Sequence, residues 1–209
     1  MKTEQIQYKV NGNNMLGYVA YSDSDSSPLV LIAHTWAGKD SFVHDRADDL
    51  ANLGYTAMAV DMYGEGRVGA DAAESESLMT PLLSNRDELK NRIQAALEAG
   101  RKLEGVNPAK VAAIGYCFGG LVVLDLVRSG ATVNGVVSFH GLLGPSEISN
   151  DGVKGKVLVL HGERDPMVPL EMVDEFQKEM TAASIDWQLH SYGATYHAFT
   201  NPDANDPAL

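Results

Sequence analysis

Gly115-Tyr-Cys117-Phe-Gly119-Gly120 holds the only cysteine of the 209-residue chain. The apolar stretch Val111-Ala-Ala-Ile114 runs into it, and Gly120-Leu-Val-Val-Leu opens a helical pattern behind it. Strand, G-x-nucleophile-x-G, helix is the context in which this spacing carries chemistry. A residue at such a bend is held in a strained backbone, and strand and helix approach so closely that only glycine fits on either side. Its side chain stands at the carboxyl end of a sheet strand and at a helix amino terminus, where the dipole favours a thiolate. A small buried hydrophobe is the ordinary role of a free cysteine; the flanking glycines and the strand–helix context favour a nucleophile.

A thiol nucleophile needs a base and a group that orients the base. Of six histidines, His34 ends an apolar strand, His44 and His190 occupy helix and strand positions, and His140 and His161 each precede glycine at a strand end. His197 lies in the loop Tyr-Gly-Ala-Thr-Tyr-His-Ala-Phe after the final strand, where the order nucleophile, acid, histidine puts the base. For the acid, Val157-Leu-Val-Leu160 leads into His161-Gly-Glu-Arg-Asp165-Pro-Met-Val-Pro169, a proline-bracketed turn that makes Asp165 the choice over Glu163 and Asp151. The oxyanion hole is expected from two backbone amides, those of Phe118 and of Trp36 in the loop His34-Thr-Trp-Ala-Gly38.

The elements that must position these groups follow from hydropathy. Two alternating segments flank Asn11-Gly-Asn-Asn14 and read as a hairpin. Apolar runs at Leu29–Ala33, Thr56–Val60, Val111–Ile114, Val133–Phe139 and Val157–Leu160 suit strands covered on both faces. A further strand falls at about 186–191, and helical patterns at about 42–53, 85–104, 119–129 and 169–182. The sequence therefore predicts one α/β domain over 1–209, a mainly parallel sheet with helices on both faces and an antiparallel amino-terminal hairpin. The acidic stretch Ala70 to Ser77 reads as a short surface helix. The ending Asn-Pro-Asp-Ala-Asn-Asp-Pro-Ala-Leu reads as an extended or disordered tail without a closing helix, so either the fold lacks that helix or the sequence stops before it.

Composition excludes several function classes. The formal charge is -12, with 28 acidic against 16 basic residues, which opposes binding to nucleic acid or an anionic membrane. A single cysteine forms no intrachain disulfide, and neither an apolar leader nor a run of about 18 apolar residues is present. These features point to a soluble cytoplasmic protein, a monomer or small homo-oligomer, acting on a small molecule.

With these stretches in hand, the chain resembles the dienelactone hydrolase family, a cysteine-based branch of the α/β-hydrolases. The matching segments, in the family's order from about residue 30 to 202, are H-T-W-A-G, D-M-Y-G-E-G, G-Y-C-F-G-G, H-G-E-R-D-P-M-V-P and Y-G-A-T-Y-H-A-F-T-N-P. The resemblance implies an ester or lactone hydrolase that needs no cofactor or metal, with Cys117, Asp165 and His197 as its triad. Two departures stand out. The family's lactonases carry a glutamate at the place of Thr35, where it helps the thiol ionise, and a threonine hydroxyl takes no proton near neutral pH. They also grip the substrate's carboxylate with arginines: Asn201 stands at one such place, four positions after His197, and the Glu74 to Leu83 region has none, Arg67 and Arg86 being nearest. The first departure leaves activation of the thiol to His197 and the helix dipole; the second predicts a substrate other than dienelactone, in a pocket for which Thr35, Tyr63, Phe199 and Asn201, with Trp36 and Phe118, are the candidates. The alternative is a non-hydrolytic protein on the same fold, binding a small ligand or reacting as a redox-sensitive thiol.

Overall fold

The computed structural model of the chain describes residues 1–146 and 152–204. Its elements run β1 (Lys2–Val10), β2 (Asn13–Tyr21), β3 (Ser27–Ala33), α1 (Ser41–Asn52), β4 (Thr56–Ala59), α2 (Ala72–Leu83), α3 (Arg86–Gly100), β5 (Val106–Tyr116), α4 (Phe118–Arg128), β6 (Gly135–Phe139), β7 (Lys156–Gly162), α5 (Leu170–Ala182) and β8 (Trp187–Tyr192). The eight strands form one sheet in the order β1-β2-β4-β3-β5-β6-β7-β8. β1 and β2 make the expected antiparallel hairpin around Asn11, which takes a left-handed φ of 48°, and Gly12 at 85°. β2 meets β4 antiparallel, and every pair from β4 to β8 is parallel.

Strands covered on both faces need two apolar layers, and the sequence supplies them. Leu29, Leu31 and Ala33 of β3 face one core with Ile93 and Leu97 of α3, Val122 and Leu126 of α4, and Phe176 of α5. Ile32, on the alternate face, packs with Val43, Ala47 and Ala51 of α1. No helix among the described residues is long and apolar enough to cross a membrane. Inside the first core, Asp125 of α4 accepts two hydrogen bonds from Arg86 (2.5 and 2.6 Å) and one from Arg128 (3.1 Å), which reaches on to Glu179. Burial makes the pairing obligatory, because an unpartnered charge there costs several kcal/mol.

The strand order reverses at β3: the chain moves from β3 outward to β4, then returns to place β5 on the other side. The carboxyl ends of β3 and β5 therefore flank the crevice in which open α/β sheets bind ligands. Trp36 follows β3 and Cys117 follows β5.

Two expectations need correction. The acidic segment is a full twelve-residue helix, α2, which extends to Leu83 through Pro81; Asp71 caps it by accepting from the Glu74 amide. Residues 201–204 do not run out extended. The Asn201 side chain accepts from the Asp203 amide at 3.0 Å and its carbonyl from that of Ala204 at 3.1 Å, which folds the segment into turns. Between Tyr192 and Ala204 the chain forms no helix; residues 205–209 lie outside the described residues.

Candidate active site

Cys117 stands between β5 and α4 with φ 54° and ψ -116°, a conformation that L-residues rarely adopt. Three features hold it there. Its amide donates to the Phe139 carbonyl (3.1 Å), its own carbonyl accepts from Gly120 (2.9 Å), and β5 lies in register with β3, Ala33 opposite Gly115. The glycines are sterically required: a Cβ on Gly115 would stand 1.9 Å from the Gly119 carbonyl oxygen, and one on Gly119 2.1 Å from that of Ala33. The strain at the cysteine is thus imposed by backbone packed on both sides of it.

Asp165 follows β7 in the proline-bracketed turn. Its Oδ1 accepts from the Met167 amide at 2.9 Å, leaving Oδ2 to accept from His197 Nδ1 at 2.7 Å. Both side chains are sealed from water, at 0% and 2% exposure. The loop of His197 is tied to the acid's loop by Glu163 N to Tyr192 O (3.0 Å) and Arg164 N to Thr195 O (2.9 Å). Gly162 permits that approach, since a Cβ there would lie 2.6 Å from the carbonyl oxygens of Thr195 and Tyr196. Of the rival acids, Glu163 is exposed and pairs with Arg164, and Asp151 lies outside the described residues.

The imidazole's Nε2 is buried and has no partner of full hydrogen-bond geometry among the described residues. Burial by itself disfavours the charged ring, yet hydrogen bonding to Asp165 and the proximity of Cys117 outweigh it and raise the His197 pKa to about 9. Asp165 is likewise lowered: burial opposes its ionisation, and His197 and the Met167 amide prevail.

Cys117 and His197 share the wall of a cavity of about 370 Å³ with Thr35, Trp36, Asn201 and His140. Phe42, Met79, Leu142 and Met167 supply its apolar side, and Asp40 and Asp203 add carboxylates. None of its described lining residues is an arginine or lysine. Arg67 is spent on the carbonyls of Tyr63 (2.6 Å) and Gly64 (3.4 Å), and Arg86 on Asp125, so neither of the nearest arginines reaches the cavity.

Three pocket expectations fail. Tyr63, Phe118 and Phe199 are not among the residues lining the cavity. Tyr63, 2% exposed, stands behind the wall and donates its hydroxyl to the Trp36 carbonyl at 2.7 Å, bracing the loop after β3. Phe199 turns to His140 (ring centroids 5.2 Å apart) and Tyr192 (5.5 Å). Of the oxyanion candidates, Trp36 lines the cavity. Phe118 buries its ring completely while its amide lies at the first turn of α4, where helix N–H groups have no intrahelical acceptor. Thr35 bends its own loop, its hydroxyl accepting from the Ala37 amide at 3.3 Å. His34 is structural: Nδ1 donates to Thr35 O (2.6 Å) and Nε2 accepts from Met62 N (3.2 Å), and burial depresses its pKa to about 4.

The dienelactone hydrolase family model matches residues 15–208. The chain belongs to this family. Its sequence is 26% identical over 203 residues to the mouse (Mus musculus) carboxymethylenebutenolidase homolog, covering 95% of this chain and 81% of the relative. Among solved structures, a dienelactone hydrolase-like promiscuous phosphotriesterase from metagenomic libraries superposes with a TM-score of 0.94 at 34% identity, over 100% of this chain and 88% of the other. A structure named m3DLH gives 0.95 at 33% identity with the same coverage. Membership and the names of these relatives support a hydrolase acting on small esters or lactones.

Proposed function

We propose that the protein hydrolyses small uncharged esters or lactones through a thioester formed on Cys117. The observation that carries this reading is the His197 imidazole: Nδ1 fixed on Asp165, Nε2 uncommitted, and the ring on the same cavity wall as the only thiol. Cys117 gives its proton to His197 Nε2 as it reacts, a transfer favoured by the amino terminus of α4. The thiolate attacks the carbonyl carbon, and the displaced electron pair goes to the oxygen, held by the amides of Trp36 and Phe118. Loss of one such amide donor typically costs about 3 kcal/mol of barrier. Collapse expels the alkoxide, which takes the Nε2 proton and leaves as alcohol. Neutral His197 then accepts a proton from water as its oxygen attacks the thioester. The second collapse returns the thiolate and releases the acid, with His197 again protonated. Asp165 holds the tautomer throughout.

The cavity's charge favours neutral substrates. With Asp40 and Asp203 in its wall and neither arginine nor lysine among its described lining residues, a carboxylate-bearing substrate meets repulsion there and finds no guanidinium. The same feature favours a second reading, neutral phosphotriesters, the substrate class for which the metagenomic relative is named. Hydrolysis of p-nitrophenyl acetate tests the thiol directly: Cys117→Ala is expected to fall to the uncatalysed background, and undiminished turnover would overturn the assignment.

A further inference from the structure

His140 is the one cavity-lining histidine the proposed mechanism leaves unused. It directly follows β6 and takes a left-handed φ of 39°, which costs a non-glycine residue energy that glycine at this place would save. The side chain carried at this strained position is buried and engaged.

Its surroundings indicate how. Its amide donates to Leu160 O of β7 at 2.8 Å, and the preceding carbonyl, of Phe139, holds the Cys117 amide. The following residue, Gly141, is jammed against the first turn of α4: a Cβ on it would stand 2.7 Å from Gly120 Cα and 2.1 Å from Ser138 Oγ. The backbone around His140 is therefore rigidly coupled to the elbow. Its ring, in contrast, serves the histidine loop. Nε2 lies 2.7 Å from Thr200 Oγ1, and the ring meets His197 edge-on at 5.0 Å and Phe199 at 5.2 Å. The residue is 2% exposed.

We propose that His140 is a positioning residue that clamps the loop of His197 to the strand end of Cys117 through its bond to Thr200, fixing the distance between base and nucleophile. The inference rests on the proposed triad. A clamp beside an imidazolium must itself stay uncharged. Burial first, and then the charge of His197, depress the His140 pKa to about 3 against the opposing pull of Asp165. A neutral ring therefore touches His197 without repelling its proton.

The test reads kcat, KM and melting temperature for p-nitrophenyl acetate in Thr200→Val, Thr200→Ser, His140→Phe and the His140→Phe/Thr200→Val double variant. Misplacement of a catalytic base costs rate rather than binding, so Thr200→Val and His140→Phe should each lower kcat about tenfold with KM nearly unchanged. The double variant should be no slower than His140→Phe, and Thr200→Ser, which keeps the hydroxyl, should recover most of what Thr200→Val loses. Wild-type kcat in folded Thr200→Val, with or without a drop in melting temperature, overturns the clamp. So do multiplicative losses in the double variant. If Cys117→Ala is inactive while these variants match wild type, the clamp alone fails; if Cys117→Ala is active, the triad fails first.

Discussion

His197 Nδ1 lies 2.7 Å from Asp165 Oδ2, and the pair is closed off from solvent between the loops that follow β7 and β8. A buried imidazole with this partner keeps its proton to about pH 9, well above its ordinary 6.5. Because the alkoxide leaves with that proton, kcat/KM is expected to fall as pH rises through about 9. Asp165→Asn removes the group that holds the proton, so its alkaline limb should move to lower pH. A pH–rate profile of both proteins checks this; coincident alkaline limbs would contradict it. The raised value also stabilises the fold. That contribution is complete below the unfolded value of 6.5 and is lost as pH rises through about 9, so the melting temperature of wild type should decline toward that of His197→Gln over this window.

Substrate charge should respond to a single residue. Asn201 lines the cavity four positions after His197, in a wall that carries Asp40 and Asp203 and, among its described residues, no arginine or lysine. Asn201→Arg is expected to raise kcat/KM for a carboxylate-bearing ester, relative to its uncharged analogue, by about tenfold, equivalent to ~1.4 kcal/mol of differential binding. Paired kinetics on the two esters measure it, and an unchanged ratio would mean that this wall does not face the acyl or alcohol group.

The elbow leaves no room for a methyl group. A Cβ on Gly115 meets the Gly119 carbonyl at 1.9 Å, and both partners are backbone. Gly115→Ala should therefore destabilise the protein by about 3 kcal/mol, the upper part of the usual range for overpacking. Urea unfolding reads the loss directly. A variant of wild-type stability would show that strand and helix can separate there.

The parts of the site legible in the sequence were those fixed by local backbone demands. Gly115 and Gly119 announce a close strand–helix approach, the prolines around Asp165 announce a fixed turn, and the apolar runs that precede each loop announce parallel strands. What stayed hidden depended on partners distant along the chain. Tyr63 has the composition of a pocket residue, but its hydroxyl is committed to Trp36 O, 27 positions away. Arg86 was a nearby cation in sequence, and in the fold it is neutralised by Asp125, 39 positions on. His140 looked like one of two histidines before a strand-end glycine; only the fold brings Thr200, 60 residues downstream, to its ring. The tail residues 201–204 carry turn-forming Asn and Asp beside proline, a signal equally readable as an extended end, and the turns become evident only where they close the cavity.

The most direct measurement of the central claim is the mass of the protein during turnover. His197→Gln retains the thiol but lacks the base that hydrolyses the thioester, so rapid mixing with an activated ester and acid quenching should trap one acyl group, located by peptide mapping to the segment containing Cys117. Continued ester turnover in wild type with no acyl group on that cysteine in either protein would contradict the account.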